Sequence, residues 1–451
     1  MSMEISIKDV EWESMSFLDK MGKVFYDEYY YYRGIYNNSR QIRRVQKLFK
    51  SGVIDSLIKE SLILPIEIAD ISFCDSDEYA MVLRSKRIKN VLYPTEWSYS
   101  MLLDAAKLMI KMEQILLKYN YTLTDYHPYN IVFEGGAKPV HIDLGSIGIA
   151  KIDSEKIFVK SMEERYYRPL YMWRKKQRSM SEFYLTDRKV TEKEWYEYLY
   201  GVFAGDVLYK CKEAIQRGTS TNIVSLINKF NKLDDFERQT EDGHWNWSKY
   251  QNSYIDEAGG KIISSERFDI IAECLKKYNI CSMTELAANQ GAFSQYCIQE
   301  NIVKKSLAID YDEWAIDKLY QRIKKMDHKL PIFMGVVDLV SSSSRNYKKP
   351  SDRMRNEAVV AMALTHHLIL SQGLTIEKAL EIILSYGEKY VFVEFMPLGL
   401  WDIKTHCRQK KLPPEYTVDN FRDILSTKCK IKEEIFISKN RILFVGEKEI
   451  T

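Results

Sequence analysis

The chain has 451 residues and a formal net charge of +3, from 66 Lys+Arg against 63 Asp+Glu. That length suits two or three domains with sizeable cores. The near balance of charge argues against a nucleic-acid partner, whose signature is a strong or clustered basic excess. Seven cysteines are scattered without a Cys-x-x-Cys pair, which predicts free thiols in a reducing compartment and no zinc site. The N-terminal MSMEISIKDVEWESM carries acidic residues where a signal peptide needs an apolar core, and no apolar run reaches the length of a membrane span. A cytoplasmic protein is expected.

In chain order, VFYDEYYYYRGIY reads as β structure and SRQIRRVQKLFKSG as a helix closed by Gly52. LPIEIADISF and YAMVLRSKRI read as strands. These pieces make a small β-rich unit over about 20–95. A long helix follows from Glu96 to Asn120. Met101, Ala105, Leu108, Met112, Ile115 and Tyr119 form its apolar stripe, and Asp104, Lys107, Lys111 and Lys118 are expected to face out. Helical segments then run to about 215, and the polar stretch 216–260 is the expected connector. From 261 to 451, strands alternate with helices: SMTELAA, SLAIDYD, PIFMGVVDL, AVVAMALT and YVFVEFM as strands, then KIKEEIFIS and RILFVGEK as a closing pair. That pattern predicts a doubly wound, Rossmann-like α/β sheet with an antiparallel edge.

Ligands bind at the carboxyl ends of such strands. ELAANQGAFSQY follows the first strand, and its Gly291 permits close approach of the backbone. Asp310 ends the second strand, where a carboxylate suits ribose hydroxyls. Asp338 ends the third, placed to meet an adenine amino group. With one glycine in the turn, a cofactor without phosphates, S-adenosylmethionine, fits better than a dinucleotide. His366 and His367 in ALTHHLIL stand at the end of the fourth strand, where an imidazole suits a general base. Glu394 and Asp402 in EFMPLGLWD are candidates for substrate hydroxyls.

On ELAANQGAFS, AIDYDEWA, VVDL, AVVAMALTHHLIL and YVFVEFMP, this half resembles class I S-adenosylmethionine-dependent methyltransferases. The resemblance implies that Glu285 and Gly291 line the methionine end of the cofactor, with Ala287 and Asn289 in places where many members have glycine. It further implies contacts from Phe293 and Tyr311, the ribose on Asp310 and the adenine by Asp338.

The stretch LTDYHPYNIVFEGGAKPVHIDLGS has an Asp, an Asn five residues on and an Asp-Leu-Gly thirteen residues later, across a hairpin turned at Gly135-Gly136. It resembles the catalytic and metal-binding loops of aminoglycoside-phosphotransferase-like and protein-kinase-like enzymes. Carried over, Asp125 would face an acceptor hydroxyl, and Asn130 and Asp143 would hold Mg2+ on ATP. No glycine-rich loop or strand lysine accompanies it, and Arg33 is the one basic residue placed to reach phosphate. The joint arrangement, with EWSYSMLLDAAKL, LTDYHPYNIVF and WSKYQNSY, resembles bacterial class I methyltransferases of the nodulation-protein type. The expectation is a kinase-like domain over 1–215, a connector over 216–260 and a methyltransferase domain over 261–451. The substrate expected is a sugar, glycan or small hydroxylated metabolite methylated on oxygen. Two further readings are a bifunctional kinase and methyltransferase, and a methyltransferase scaffolded by a pseudokinase.

Overall fold

Residues 3–8, 10–13, 20–175, 189–215, 222–234, 250–256, 260–326, 330–341, 348–402, 407–408 and 412–449 are described in the structure, a computed structural model. The tyrosine-rich stretch forms two strands, Gly22–Tyr26 and Tyr30–Tyr36, joined at Asp27, whose carboxylate accepts the N–H groups of Tyr29 and Tyr30 at 2.7 Å. They belong to a five-stranded antiparallel sheet in the order Glu11–Trp12, Gly22–Tyr26, Tyr30–Tyr36, Tyr79–Lys86, Ile66–Ala69. Aromatic rings pack across the strands, as Phe25 stacks on Tyr32 at 5.0 Å, so the tyrosines serve the pleated surface. The helix Ser39–Lys50 is capped by Asn38 and ends where expected. Gly52 at φ 75° then starts a second helix, Val53–Lys59.

The long helix spans Tyr99–Lys118. It is buried on far more than one stripe: Leu102, Leu103, Ala106, Met109 and Ile110 join the expected residues inside. Asp104, expected to face out, is buried. Its carboxylate accepts the Tyr320 hydroxyl at 2.7 Å and pairs with Lys324 at 2.6 Å. The reason is that the C-terminal half covers the helix face that a lone domain would leave wet. After the helix, Tyr121–Leu123 pairs antiparallel with Ile147–Ile149, and Ile131–Glu134 with Lys138–His141. Within 216–260, Ile223–Asp234 is a helix with Leu226, Phe230 and Leu233 in the core. That part of the expected connector is therefore packed structure.

The C-terminal sheet has seven strands in the order Ile332–Val336, Lys305–Asp310, Ser282–Leu286, Asn356–Ala361, Gly387–Phe395, Arg441–Glu447, Lys430–Ser438. The first five are parallel and the last two antiparallel, as the alternation and closing pair predict. The central strands are buried throughout, which explains their near-continuous apolar runs.

The two halves share one hydrophobic core. Ser98 makes no side-chain cap for the long helix. Instead Glu313 accepts the N–H of Tyr99 at 2.8 Å, and Asp317 accepts the N–H of Ser100 at 2.8 Å and its hydroxyl at 3.0 Å. Both carboxylates lie on the helix Glu313–Lys325 that follows the second strand. They satisfy orphan donors and complement the helix dipole. The hairpin tip lies on the sheet's outer strand: a Cβ on Gly136 would stand 1.8 Å from the Ile332 carbonyl oxygen. Arg353 closes the seam, paired with Glu96 and stacked 3.6 Å over the Tyr93 ring.

Replacing Asp317 by Ala leaves two donors at a buried helix end without their acceptor. Asp317→Ala should lower the stability of the full chain by about 1–3 kcal/mol in urea denaturation. An unchanged midpoint would show that these bonds do not hold the halves together.

Candidate active site

The loop after the first strand of the C-terminal sheet is built on left-handed backbone. Ala287 has φ 52°, Asn289 φ 53° and Gly291 φ 63°. At 287 and 289 the conformation that favours glycine is held without it. Asn tolerates this region because its short polar side chain bonds locally, and Ala287 carries the strain. Gly291 is required on two counts: its φ, and an added Cβ would stand 2.6 Å from Leu319. Gln251, in the quoted WSKYQNSY, fastens the loop from outside. Its amide donates to the Ala288 carbonyl at 3.1 Å and accepts the Ala292 N–H at 3.0 Å. No local sequence signal marks this residue, because its partners lie about forty positions on.

Asp310 is buried at the end of the second strand. Its carboxylate accepts the N–H of Asn289 at 2.7 Å and of Asp312 at 2.8 Å. Burial lifts its pKa to about 6 against these bonds and that of the Tyr311 N–H. Asp310 thus ties the first loop to the second strand and keeps capacity for a further donor, since a carboxylate offers roughly four acceptor sites. Tyr311 beside it is exposed. Asp338 is exposed and accepts the N–H groups of Val340 and Ser341 at 2.9 and 3.2 Å.

Three residues expected to contact cofactor or substrate are buried. Glu285 faces inward, accepting the Ser294 N–H at 3.0 Å and hydroxyl at 2.5 Å, so it joins strand to helix. Desolvation raises its pKa to about 7. Phe293 is fully buried against Phe268, with ring centroids 5.2 Å apart. Glu394, expected to meet substrate, is 0% exposed. It takes a two-pronged contact from Arg267 at 2.7 and 2.6 Å, a third bond from Arg441 at 3.0 Å and the Ala363 N–H at 2.8 Å. These donors fill the carboxylate. Its work is to hold Ala363, at φ 50°, where the chain turns into the histidines. The side chain of Asp402 lies outside the described residues.

His366 is 5% exposed, with Nδ1 lacking a hydrogen-bond partner, and its ring centroid lies 4.2 Å from that of His367. Burial first, then His367, Arg441 and Arg267, bring its pKa down to about 3. Burial also lowers that of His367. Burial thus favours the uncharged form of both imidazoles.

In the N-terminal half, Asp125 is exposed and accepts the His127 N–H at 3.0 Å. Asp143 is directly paired with Arg33 at 3.0 Å and accepts the Gly145 N–H at 2.9 Å. Burial pushes its carboxyl up, but Arg33, His141 and the Gly145 N–H together hold it below the ordinary value. Arg33, expected to reach phosphate, is therefore on Asp143. The expected Mg2+ site at Asn130 and Asp143 does not fit these contacts. Among the described residues no group of three His, Cys, Asp or Glu side chains could hold a metal. The described cysteines 74, 211, 274, 281, 297 and 429 are free thiols. No described helix is long and apolar enough to cross a membrane.

No protein-family model matches the chain. It is 22% identical over 406 residues to nodulation protein NoeA of Rhizobium meliloti strain 1021, covering 82% of each chain. Among solved structures it is similar to N-methyltransferase NodS from Bradyrhizobium japonicum WM9 in complex with S-adenosyl-L-homocysteine. That match has 13% identity, 45% of this chain, 99% of that one and a TM-score of 0.29. A match to M. capricolum TrmK, in complex with the same cofactor product, has 14% identity, 41% of this chain, 69% of that one and a TM-score of 0.28.

Glu113 supplies a pH test of the Asp125 loop's support. Fully buried on the long helix, it accepts the Thr122 hydroxyl at 2.6 Å and the Leu123 N–H at 2.8 Å. Burial raises its pKa from 4.5 to about 7 against these bonds. The folded state binds the extra proton between those values, so this contribution to stability is complete below 4.5 and is lost as pH rises through 7. Glu113→Gln keeps the shape. Relative to wild type it should gain stability from pH 5 to 8, by up to about 3 kcal/mol. Chemical denaturation across that range measures it, and a flat difference would contradict the assignment.

Proposed function

We propose that the chain is an S-adenosylmethionine-dependent methyltransferase, acting on an oxygen of a sugar, glycan or small hydroxylated metabolite. One observation carries the reading. At the carboxyl ends of adjacent parallel strands, Asp310 grips a loop left-handed at Ala287, Asn289 and Gly291. The residues fit the cofactor: the loop is preformed, and Asp310 is a buried carboxylate with room for a hydroxyl donor. The sheet order and its antiparallel edge support the same family resemblance. So does the 22% identity to a nodulation protein across both halves.

On this reading Asp310 holds the ribose and Asp338 stands by the adenine. When bound, the cofactor supplies an electrophilic methyl group. The protein's own part is positioning and proton handling. Of the two imidazoles, His367 is the better base. His366 stands among Arg267, Arg441 and His367, which oppose its taking a proton, so it orients its neighbour. The domain division follows the same reading, with a kinase-shaped unit over 1–215 and methyl transfer in 261–451. The five-stranded sheet, long helix, Asp125 loop and Gly135-Gly136 hairpin support that shape. The pairing of Arg33 with Asp143 favours a scaffold over a phosphotransferase.

Asp310→Ala should weaken S-adenosylmethionine binding about ten- to a hundredfold in calorimetry. Unchanged affinity in a folded variant would overturn the ribose assignment. His367→Gln should lower methyl transfer by about two orders or more with cofactor affinity retained, and His366→Gln by less. Full turnover in both would remove histidine from the reaction.

A further inference from the structure

Residues 250–256 fall within the expected connector, yet they pack onto the loop that follows the first strand of the C-terminal sheet. Ile255 forms an antiparallel bridge with Ile262, and the Ile263 N–H donates to the Tyr254 carbonyl at 2.7 Å. The Tyr254 ring lies 5.0 Å from that of Phe268, which meets Phe293 on the helix Ala292–Gln299 at 5.2 Å. This anchoring places Gln251, buried, against the loop. Next to it, Asn252 Oδ1 accepts the side-chain amide of Gln290 at 2.7 Å.

The backbone bonds of the loop define what Gln251 adds. The Ala288 N–H goes to the Ile309 carbonyl at 3.0 Å and the Asn289 N–H to Asp310 at 2.7 Å. The Gly291 N–H goes to the Ala288 carbonyl at 2.8 Å and the Ser294 N–H to Glu285 at 3.0 Å. Those acceptors all belong to the sheet or to the loop itself. The Ala292 N–H differs. Ala292 is the first residue of its helix, and Gly291 before it has no side chain to cap it. Gln251 Oε1 takes that donor at 3.0 Å, while its Nε2 gives a bond to the Ala288 carbonyl at 3.1 Å. One side chain thus bridges the two ends of 288–292, across Asn289 at φ 53° and Gly291 at φ 63°. Left-handed backbone is costly away from glycine and persists where surrounding bonds fix it.

We propose that Gln251 is a positioning residue for the cofactor: its amide clamps the loop in the shape that receives S-adenosylmethionine, so a strap outside the sheet governs cofactor affinity. The inference rests on the methyltransferase reading and names a residue that acts through the loop. Without the clamp the ligand must order the loop itself, and that ordering is subtracted from binding.

The test is calorimetry with S-adenosylmethionine on the full chain. Gln251→Met keeps the length of the side chain and removes both bonds, so it should weaken binding about tenfold or more. Gln251→Glu keeps an acceptor for the Ala292 N–H, but its carboxyl donates to the Ala288 carbonyl only when protonated. Burial beside a carbonyl oxygen raises the pKa of such a carboxyl above its free value of about 4.3. Affinity relative to wild type should therefore be about tenfold down at pH 8 and return to within about threefold at pH 5. Taking the ratio at each pH removes the titration of Asp310 itself, near 6. A side chain that only fills space would give no such profile. Thermal melts at each pH check the fold, and should Gln251→Met not fold, the Gln251→Glu profile decides alone. With wild type binding, unchanged affinity in Gln251→Met, or a Gln251→Glu ratio that stays the same from pH 8 to pH 5, would overturn the proposal alone. Absence of S-adenosylmethionine binding in wild type would remove the methyltransferase reading and the proposal with it.

Discussion

The docking of the long helix Tyr99–Lys118 against the helix Glu313–Lys325 is the contact on which both halves rely. A helix that begins inside a protein carries N–H groups with no partner. Here Glu313 and Asp317 supply the acceptors from the other half of the chain. Four residues further along, Asp104 meets Tyr320 and Lys324. The helix is consequently wrapped on both sides. It carries Glu113, which fixes the strand leading to Asp125. Its partner helix starts just after Asp310, so one interface locates the supports of both candidate sites.

Each site is shaped by carboxylates spent on backbone. Asp310 ties two loops together, Glu285 joins a strand to a helix, and Glu394 gathers Arg267, Arg441 and the Ala363 N–H. A buried carboxylate is costly to desolvate and stays only where donors surround it. The consequence is a set of left-handed turns at 287, 289, 291 and 363 fixed by the fold itself. Preformed loops spare the ordering cost of binding. The arginines that neutralise Glu394 also press the neighbouring His366 toward its uncharged form.

The two halves treat charge in opposite ways. In the C-terminal site, no arginine among the described residues pairs with Asp310, and its carboxyl is lifted by burial. In the N-terminal site, Asp143 has Arg33 on it and its carboxyl is held down. The first arrangement leaves an acceptor for hydroxyl donors. The second spends the carboxylate on a fixed guanidinium.

By itself the sequence determined the elements and the residues that stand at their ends. Alternation of strands and helices, the closing strand pair and the position of Asp310 at a strand end all stand in the structure. So does the hairpin at Gly135-Gly136. These features depend on periodicity and turn chemistry, which act over a few residues. Tertiary structure alone decided which charges meet. Arg33 reaches Asp143 across 110 positions, Arg267 reaches Glu394 across 127, and Asp104 reaches Tyr320 across 216. The side chains of Glu394 and Asp104 look in sequence like any solvent-facing carboxylate. Whether such a group binds a substrate, pairs with an arginine or caps a seam depends on which distant segment packs over it, and no local pattern encodes that choice.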